Sequence, residues 1–221
     1  MRLTVLVKGG TEEVFLINSL VINEASEMLL KSADIYWNYN NINNNIENYV
    51  SVDGKKTFFE YGYWTFKDIK KKLKKEGVTL TTHRESGKCE VTCVKRVRLF
   101  SLGELLGFRK DAEVFGDASN TSYGMVDINR GLRSVRVSCN AVDMTKNIDQ
   151  NGKYSDVLAS ISIPPDRSLK GTTSYYNNIN SKVDIKKGSY NCLRFNVSTN
   201  MGDDIRIGAV LLEIYITPKN K

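Results

Sequence analysis

Between residues 133 and 141 apolar and polar side chains alternate, with Val135, Val137, Cys139 and Ala141 on one side and Ser134, Arg136, Ser138 and Asn140 on the other. Period-two alternation predicts a strand with one buried face. The pattern returns over 157–163, 193–197 and 209–216, each time between loops rich in Asn, Gly, Ser or Asp. A chain patterned this way is predicted to be an antiparallel sheet protein, with about eight to ten strands in all.

The remaining elements follow from local signals. Residues 1–22 read as an extended arm with Leu3, Val5 and Val7 on one side, a Gly9-Gly10 hinge, and a second stretch over 14–21. Over 25–38 the helix formers Ala25, Glu27, Met28, Leu29 and Leu30 compete with a near-alternation of Leu29, Ala33, Ile35 and Trp37; the β-prone end Ile35-Tyr36-Trp37 decides for strand. Residues 38–48 are dense in Asn and read as a polar, exposed loop. Residues 57–64 hold five aromatics in eight positions and read as a strand.

Thr65 then caps a helix. Asp68 stands at its third position, Phe66, Ile69 and Leu73 form an apolar stripe, and Gly77 follows the last turn. A hairpin is predicted from 78–82 and 88–94 around Glu85-Ser86-Gly87, followed by a strand over 94–100. Ser101 and Glu104 have capping-box spacing at the head of a short helical turn that Gly107 ends, and a polar loop runs on to Asn129. Later come a turn at Asn151-Gly152, a stop at Pro164-Pro165, a loop to Lys187, and strands 191–199 and 208–217 joined as a hairpin through 200–204. This order fits an all-β fold, a single jelly-roll sandwich with one or two short helices inserted: an N-terminal arm at 1–13 and one domain over 14–221.

Composition narrows the function classes. With 221 residues, 41% of them hydrophobic, the chain can bury a core without metal or disulfide staples. The formal charge of +7 is spread among 25 acidic residues, so no strong nucleic-acid field is implied. Cys89, Cys93, Cys139 and Cys192 lie in strand-like segments and read as reduced, mostly interior thiols. The apolar start 3–7 is too short for a secretion signal or a membrane span, so synthesis in a host cell without a secretion signal is expected.

Candidate chemistry is sparse. His83 is the only histidine, it sits near a turn, and no Gly-x-Ser-x-Gly elbow accompanies it. Cys89 and Cys93 share a strand face without the further ligands a zinc site needs. Asp203-Asp204 and Glu12-Glu13 are adjacent pairs, whereas glycosidase carboxylates face each other across a cleft. No enzyme activity, cofactor or metal is therefore expected. Lysines 70, 71, 72, 74 and 75 read as the solvated face of their helix, with a weak contact of helix 66–76 to nucleic acid as the competing reading. The aromatics Phe58, Phe59, Tyr61, Tyr63, Trp64 and Phe66, with Trp37, raise the alternative of a carbohydrate- or receptor-binding β-sandwich.

Several segments taken in order carry a resemblance. They are the aromatic segment and capped helix of 61–73, the hairpin, FSLGELLGF at 100–108, VSCNAV at 137–142, the Asn-Gly turn and the final strand pair. Together they resemble the minor capsid, or penton, proteins of Polinton (Maverick) elements, adintoviruses and virophages; Leu105-Leu106-Gly107-Phe108 ahead of a strand holding Cys139-Asn140 is the most specific part. The resemblance implies a virion protein that forms homopentamers at fivefold vertices and meets a double jelly-roll major capsid protein, with no catalytic residues. Two departures touch the outer loops: a Pro-rich stretch shortened to Pro164-Pro165, and Asp203-Asp204 where a single acid before Gly is expected. On this reading Leu3, Val5 and Val7 are candidate subunit-interface residues, through strand addition to a neighbour; the alternative is an edge strand in the same subunit.

Overall fold

The structure, a computed structural model, describes residues 1–8, 10–42, 48–115, 119–147, 153, 155–165, 168–176, 182–201 and 207–219. The turns at Asn151-Gly152 and Asp203-Asp204 lie outside these residues, as does Gly9 of the expected hinge. The chain opens with β1 (Arg2–Lys8), β2 (Thr11–Ile22) and β3 (Ser26–Trp37). A middle series follows: β4 (Tyr49–Val52), β5 (Lys55–Phe58), α1 (Phe66–Lys74), β6 (Val78–Thr82), β7 (Lys88–Cys93), β8 (Val97–Arg98), α2 (Ser101–Leu105), β9 (Glu113–Val114) and β10 (Asn120–Met125). The last series is β11 (Ser134–Cys139), β12 (Val157–Ser162), β13 (Thr172–Tyr176), β14 (Val183–Ile185), β15 (Gly188–Thr199) and β16 (Ile207–Pro218).

These elements belong to two compact units. One comprises Met1–Asn38, Arg133–Ile163 and Gly171–Lys221; the other comprises Tyr39–Leu132 and Pro164–Lys170. The expected arm at 1–13 belongs to the first unit, as β1 and the start of β2.

The first unit is the jelly roll. One sheet has the order β1-β16-β3-β13, with β14 also on β3, and the other has the order β12-β11-β15-β2. The antiparallel pairs are nested: β1 with β16, β2 with β15, β3 with β13 and β14, and β11 with β12. A long hairpin rolled over itself produces this nesting, and a five-stranded and a four-stranded sheet paired in this way make a jelly roll. The first sheet buries Val5, Val7, Met28, Leu30, Ala33, Ile35, Val210, Leu212, Ile214 and Ile216. The second buries Val135, Val137, Cys139, Leu158, Ile161, Leu193, Phe195 and Val197. Each of the Val, Leu, Ile, Met and Phe side chains among them contributes about 1.5–3 kcal/mol on burial.

Three expectations change in this unit. The strand over 25–38 exists, but its buried positions are Met28, Leu30, Ala33 and Ile35 rather than Leu29, Ala33, Ile35 and Trp37. The register with β16 slips between Glu213 and Ile214, which leaves Lys31 as an extra residue; this bulge shifts the alternation by one. β15 and β16 are not a hairpin, because β15 pairs with β11 and β2 while β16 pairs with β1 and β3. The segment expected to be loop up to Lys187 holds β13 and β14, too short to show period two.

The second unit is built from shorter pieces, a sheet β10-β7-β6 and a sheet β5-β4-β8-β9. Its core gathers Ile42, Val50, Phe59, Ile69, Leu73, Leu80, Val91, Leu99, Leu102 and Leu106 among others. Helix α1 has the predicted capping box: the Thr65 hydroxyl accepts from the Asp68 amide at 3.1 Å, and the Thr65 amide donates to Asp68 Oδ2 at 3.3 Å. The hairpin β6–β7 is also as predicted.

Five readings are corrected in this unit. The aromatic stretch is a strand only to Phe58 and continues as a loop bridged at Gly62 to Ile42. Asn41 and Ile42, expected in an exposed loop, are fully buried. Buried Asn41 is satisfied by the Trp64 and Ile128 carbonyls at 2.7 and 3.0 Å and by the Trp64 amide at 2.8 Å. Ser101 does not cap α2: Phe100 occupies the cap with φ 47°, no side-chain cap bond forms, and Ser101 is buried in the first turn. The expected strand over 94–100 is reduced to β8, and the loop up to Asn129 contains β9 and β10. Hairpin β4–β5, not among the predicted elements, turns at the local signal Asp53-Gly54, with φ 48° and 82°. Gly107 ends α2 as expected and also allows a close approach, since a Cβ there would lie 2.3 Å from the Gly124 carbonyl oxygen.

Candidate functional site

The residues weighed for catalysis are dispersed. His83 follows β6 at a half-exposed position, with Nε2 3.5 Å from Glu90 Oε2. It lines a cleft of about 690 Å³ with Phe66, Arg84, Met125, Pro165 and Ser168, a mixed surface without a nucleophile held by a base. Cys89, Cys93 and Cys139 are buried free thiols and Cys192 is half-buried. Burial pushes the Cys89 thiol up to about 12 and the Cys139 thiol up to about 11, so neither is an activated thiolate. Among the described residues no group of three or more His, Cys, Asp or Glu is arranged to hold a metal ion. Among the described residues no helix is long and apolar enough to cross a membrane.

The tryptophans weighed as sugar platforms have their indole N–H groups engaged within the chain. Trp37 Nε1 donates to the Thr173 hydroxyl at 3.0 Å and Trp64 Nε1 to the Glu60 carbonyl at 2.7 Å. Of the aromatic run, Phe59 is fully buried, Phe58 and Tyr61 point outward, and Tyr63, Trp64 and Phe66 are half-buried.

Strand β1 pairs along its whole length with β16, Leu3 opposite Ile214, Val5 opposite Leu212 and Val7 opposite Val210. Val5 and Val7 therefore face this chain's own core, and Leu3 is half-buried. Met1 and Ile216 exchange backbone hydrogen bonds, which sets the ladder: odd residues of β1 bond to β16, and even residues turn N–H and C=O to the sheet edge.

A strongly charged concavity lies beside α1. A cleft of about 480 Å³ is walled by Tyr63, Trp64, Asp68, Lys71, Lys72, Lys75, Glu76 and Lys170. The Lys72 ammonium lies 5.0 Å from the ring centroids of both Trp64 and Phe59. The Asp68 carboxylate is held below its usual range, chiefly by the Thr65 hydroxyl, which donates to it at 2.6 Å. Lys170 had no local signal in the sequence. Its segment is anchored through Tyr63, whose hydroxyl accepts from the Leu169 amide at 3.0 Å and donates to Asn129 Oδ1 at 2.9 Å. Asn129 in turn donates to the Pro164 and Pro165 carbonyls, both at 3.4 Å.

Sheet order and nesting define this chain as an antiparallel jelly-roll protein carrying an inserted unit of short strands and two helices. No protein-family model matches it, and no curated protein matches it by sequence. Among solved structures, the crystal structure of the selenomethionine-labelled mavirus penton protein matches with a TM-score of 0.52 over 97% of this chain and 97% of that one. Sequence identity is 8%, so the likeness is one of fold, and that fold is penton-like.

Proposed function

We propose that this chain is a structural virion protein, a penton-type minor capsid subunit that forms homopentamers at icosahedral vertices and contacts a major capsid protein. The observation that supports the reading is the likeness in fold to the mavirus penton protein, which extends over nearly the whole of both chains. A closed ring needs a rigid body repeated by rotation, and a nested sandwich supplies such a body with loops free to vary. The segment with Leu3, Val5 and Val7 contributes in this reading through its backbone: the outer edge of β1 accepts a strand from a neighbouring subunit. Sedimentation velocity on purified protein over a range of concentrations tests the ring, with a five-subunit species expected. A monomer at every concentration that also fails to join particles of a co-expressed major shell protein would overturn the proposal. Thr4→Pro keeps the bonds to β16 and blocks the outward N–H, so it is expected to weaken the ring if the β1 edge takes part.

A further inference from the structure

The lysine-rich helix reads from sequence as a solvated face, and the structure adds what a linear reading lacks: an aromatic wall and a fourth lysine from a distant segment. Lys71, Lys75 and Lys170 are exposed, Lys72 is half-buried, and among the described residues no carboxylate lies within ion-pair distance of any of the four. The two acids of the cleft are turned to other partners, Asp68 to the helix cap and Glu76 to Lys55 at 3.4 Å. Four lysines thus line one concavity against two carboxylates, which leaves it net positive; Asp68 feels the charge of Lys170 without pairing to it.

We infer that this cleft binds single-stranded nucleic acid, with the backbone phosphates on Lys71, Lys72, Lys75 and Lys170 and a base against the Trp64–Tyr63 wall. Two features favour this occupant. Lys67, Lys70 and Lys74 are exposed on the same helix and continue the basic surface beyond the cleft, which suits a long polyanion over a small anion. The aromatic wall among the lysines suits an unpaired base, because each base offers a π-face, whereas an acidic peptide needs only the charge. The inference does not rest on the capsid reading: a monomer can bind an oligonucleotide, and a pentamer can fail to.

The test is fluorescence anisotropy of the full chain with a labelled oligo(dT) of about twenty nucleotides, titrated at several salt concentrations. Lys71→Ala/Lys75→Ala/Lys170→Ala is expected to weaken binding about tenfold or more at low salt and to reduce the log–log salt slope by about 2. In a Trp37→Phe background the remaining indole, Trp64, is expected to be quenched on binding. Lys95→Ala/Lys110→Ala removes two exposed charges outside the cleft and is expected to change affinity less than about twofold. Equal losses in the two variants, an unquenched Trp64, or binding to a sulfated polysaccharide but not to oligo(dT) would each overturn the inference. Unchanged melting of the triple variant separates lost contact from lost fold.

Discussion

The two units hold themselves together by different means. In the jelly roll, strands of twelve residues pair across most of the chain, β3 with β16 and β2 with β15, and the interior is almost wholly apolar. In the inserted unit the strands run from two to six residues, and buried polar side chains do part of the joining: Asn41 ties the Trp64 loop to Ile128, and Asn129 ties Tyr63 to Pro164 and Pro165. The Ser122 hydroxyl likewise accepts from the Cys89 amide at 2.9 Å and donates to the Gly124 carbonyl at 2.6 Å. Long ladders distribute stability over many equivalent bonds, whereas short strands concentrate it in a few side chains whose loss leaves unpaired groups.

That contrast can be broken most directly at a core ring of the sandwich. Phe195→Ala empties a fully buried site in β15 and is expected to cost about 4 kcal/mol in denaturant unfolding, with hydrogen exchange accelerated throughout both sheets. Asn41→Ala removes no apolar volume but leaves two carbonyls and an amide without their partner, an expected cost of about 2 kcal/mol. Its exchange signature should appear around Trp64 and Ile128. If it appeared equally in β15 and β16, the distinction between the units would fail.

A smaller effect is expected at the cap of α1. Thr65→Ala deletes the two bonds of the hydroxyl, one accepted from the Asp68 amide and one donated to the Asp68 carboxylate, while the backbone amide keeps its bond to Asp68; it should lower stability by about 1 kcal/mol, with faster exchange confined to the first turn of the helix. The variant also tests pH dependence. The depressed Asp68 carboxyl contributes stability that is present above its unfolded value and lost as pH falls through its folded value, so Thr65→Ala should flatten the acid limb of the stability curve.

The subtlest test uses the thiols. Cys89 in the inserted unit and Cys139 in the jelly roll are raised from an ordinary value of 9.0 to about 12 and about 11 by burial. Their contribution is complete below pH about 9 and is lost progressively above it, because the unfolded thiols ionise first. Pulsed thiol labelling across that range should modify Cys89 and Cys93 as one group and Cys139 as another; simultaneous labelling of all three would mark a single cooperative opening.

The difference between the units also explains how legible each was. The strands at β11, β12, β15 and β16 are long enough for alternation to declare the face, and the capping box at Thr65 and Asp68 is a local device whose partners are three residues apart. The Asp53-Gly54 hairpin was equally local. Against these, β8 and β9 are two residues long, and no period can be read from two positions. The positive φ of Phe100 displaced a cap that spacing alone assigned to Ser101.

By itself the amino-acid sequence determined that this is an antiparallel sheet protein with one well-capped helix and interior thiols, because strand faces, caps and tight turns are written in residues close together along the chain. Tertiary structure alone decided which strands pair, that β15 and β16 lie in different sheets, that Asn41 is buried, and that Lys170 stands beside α1. Those facts depend on long-range register and on bulges such as the one at Lys31, where a single extra residue changes every face that follows.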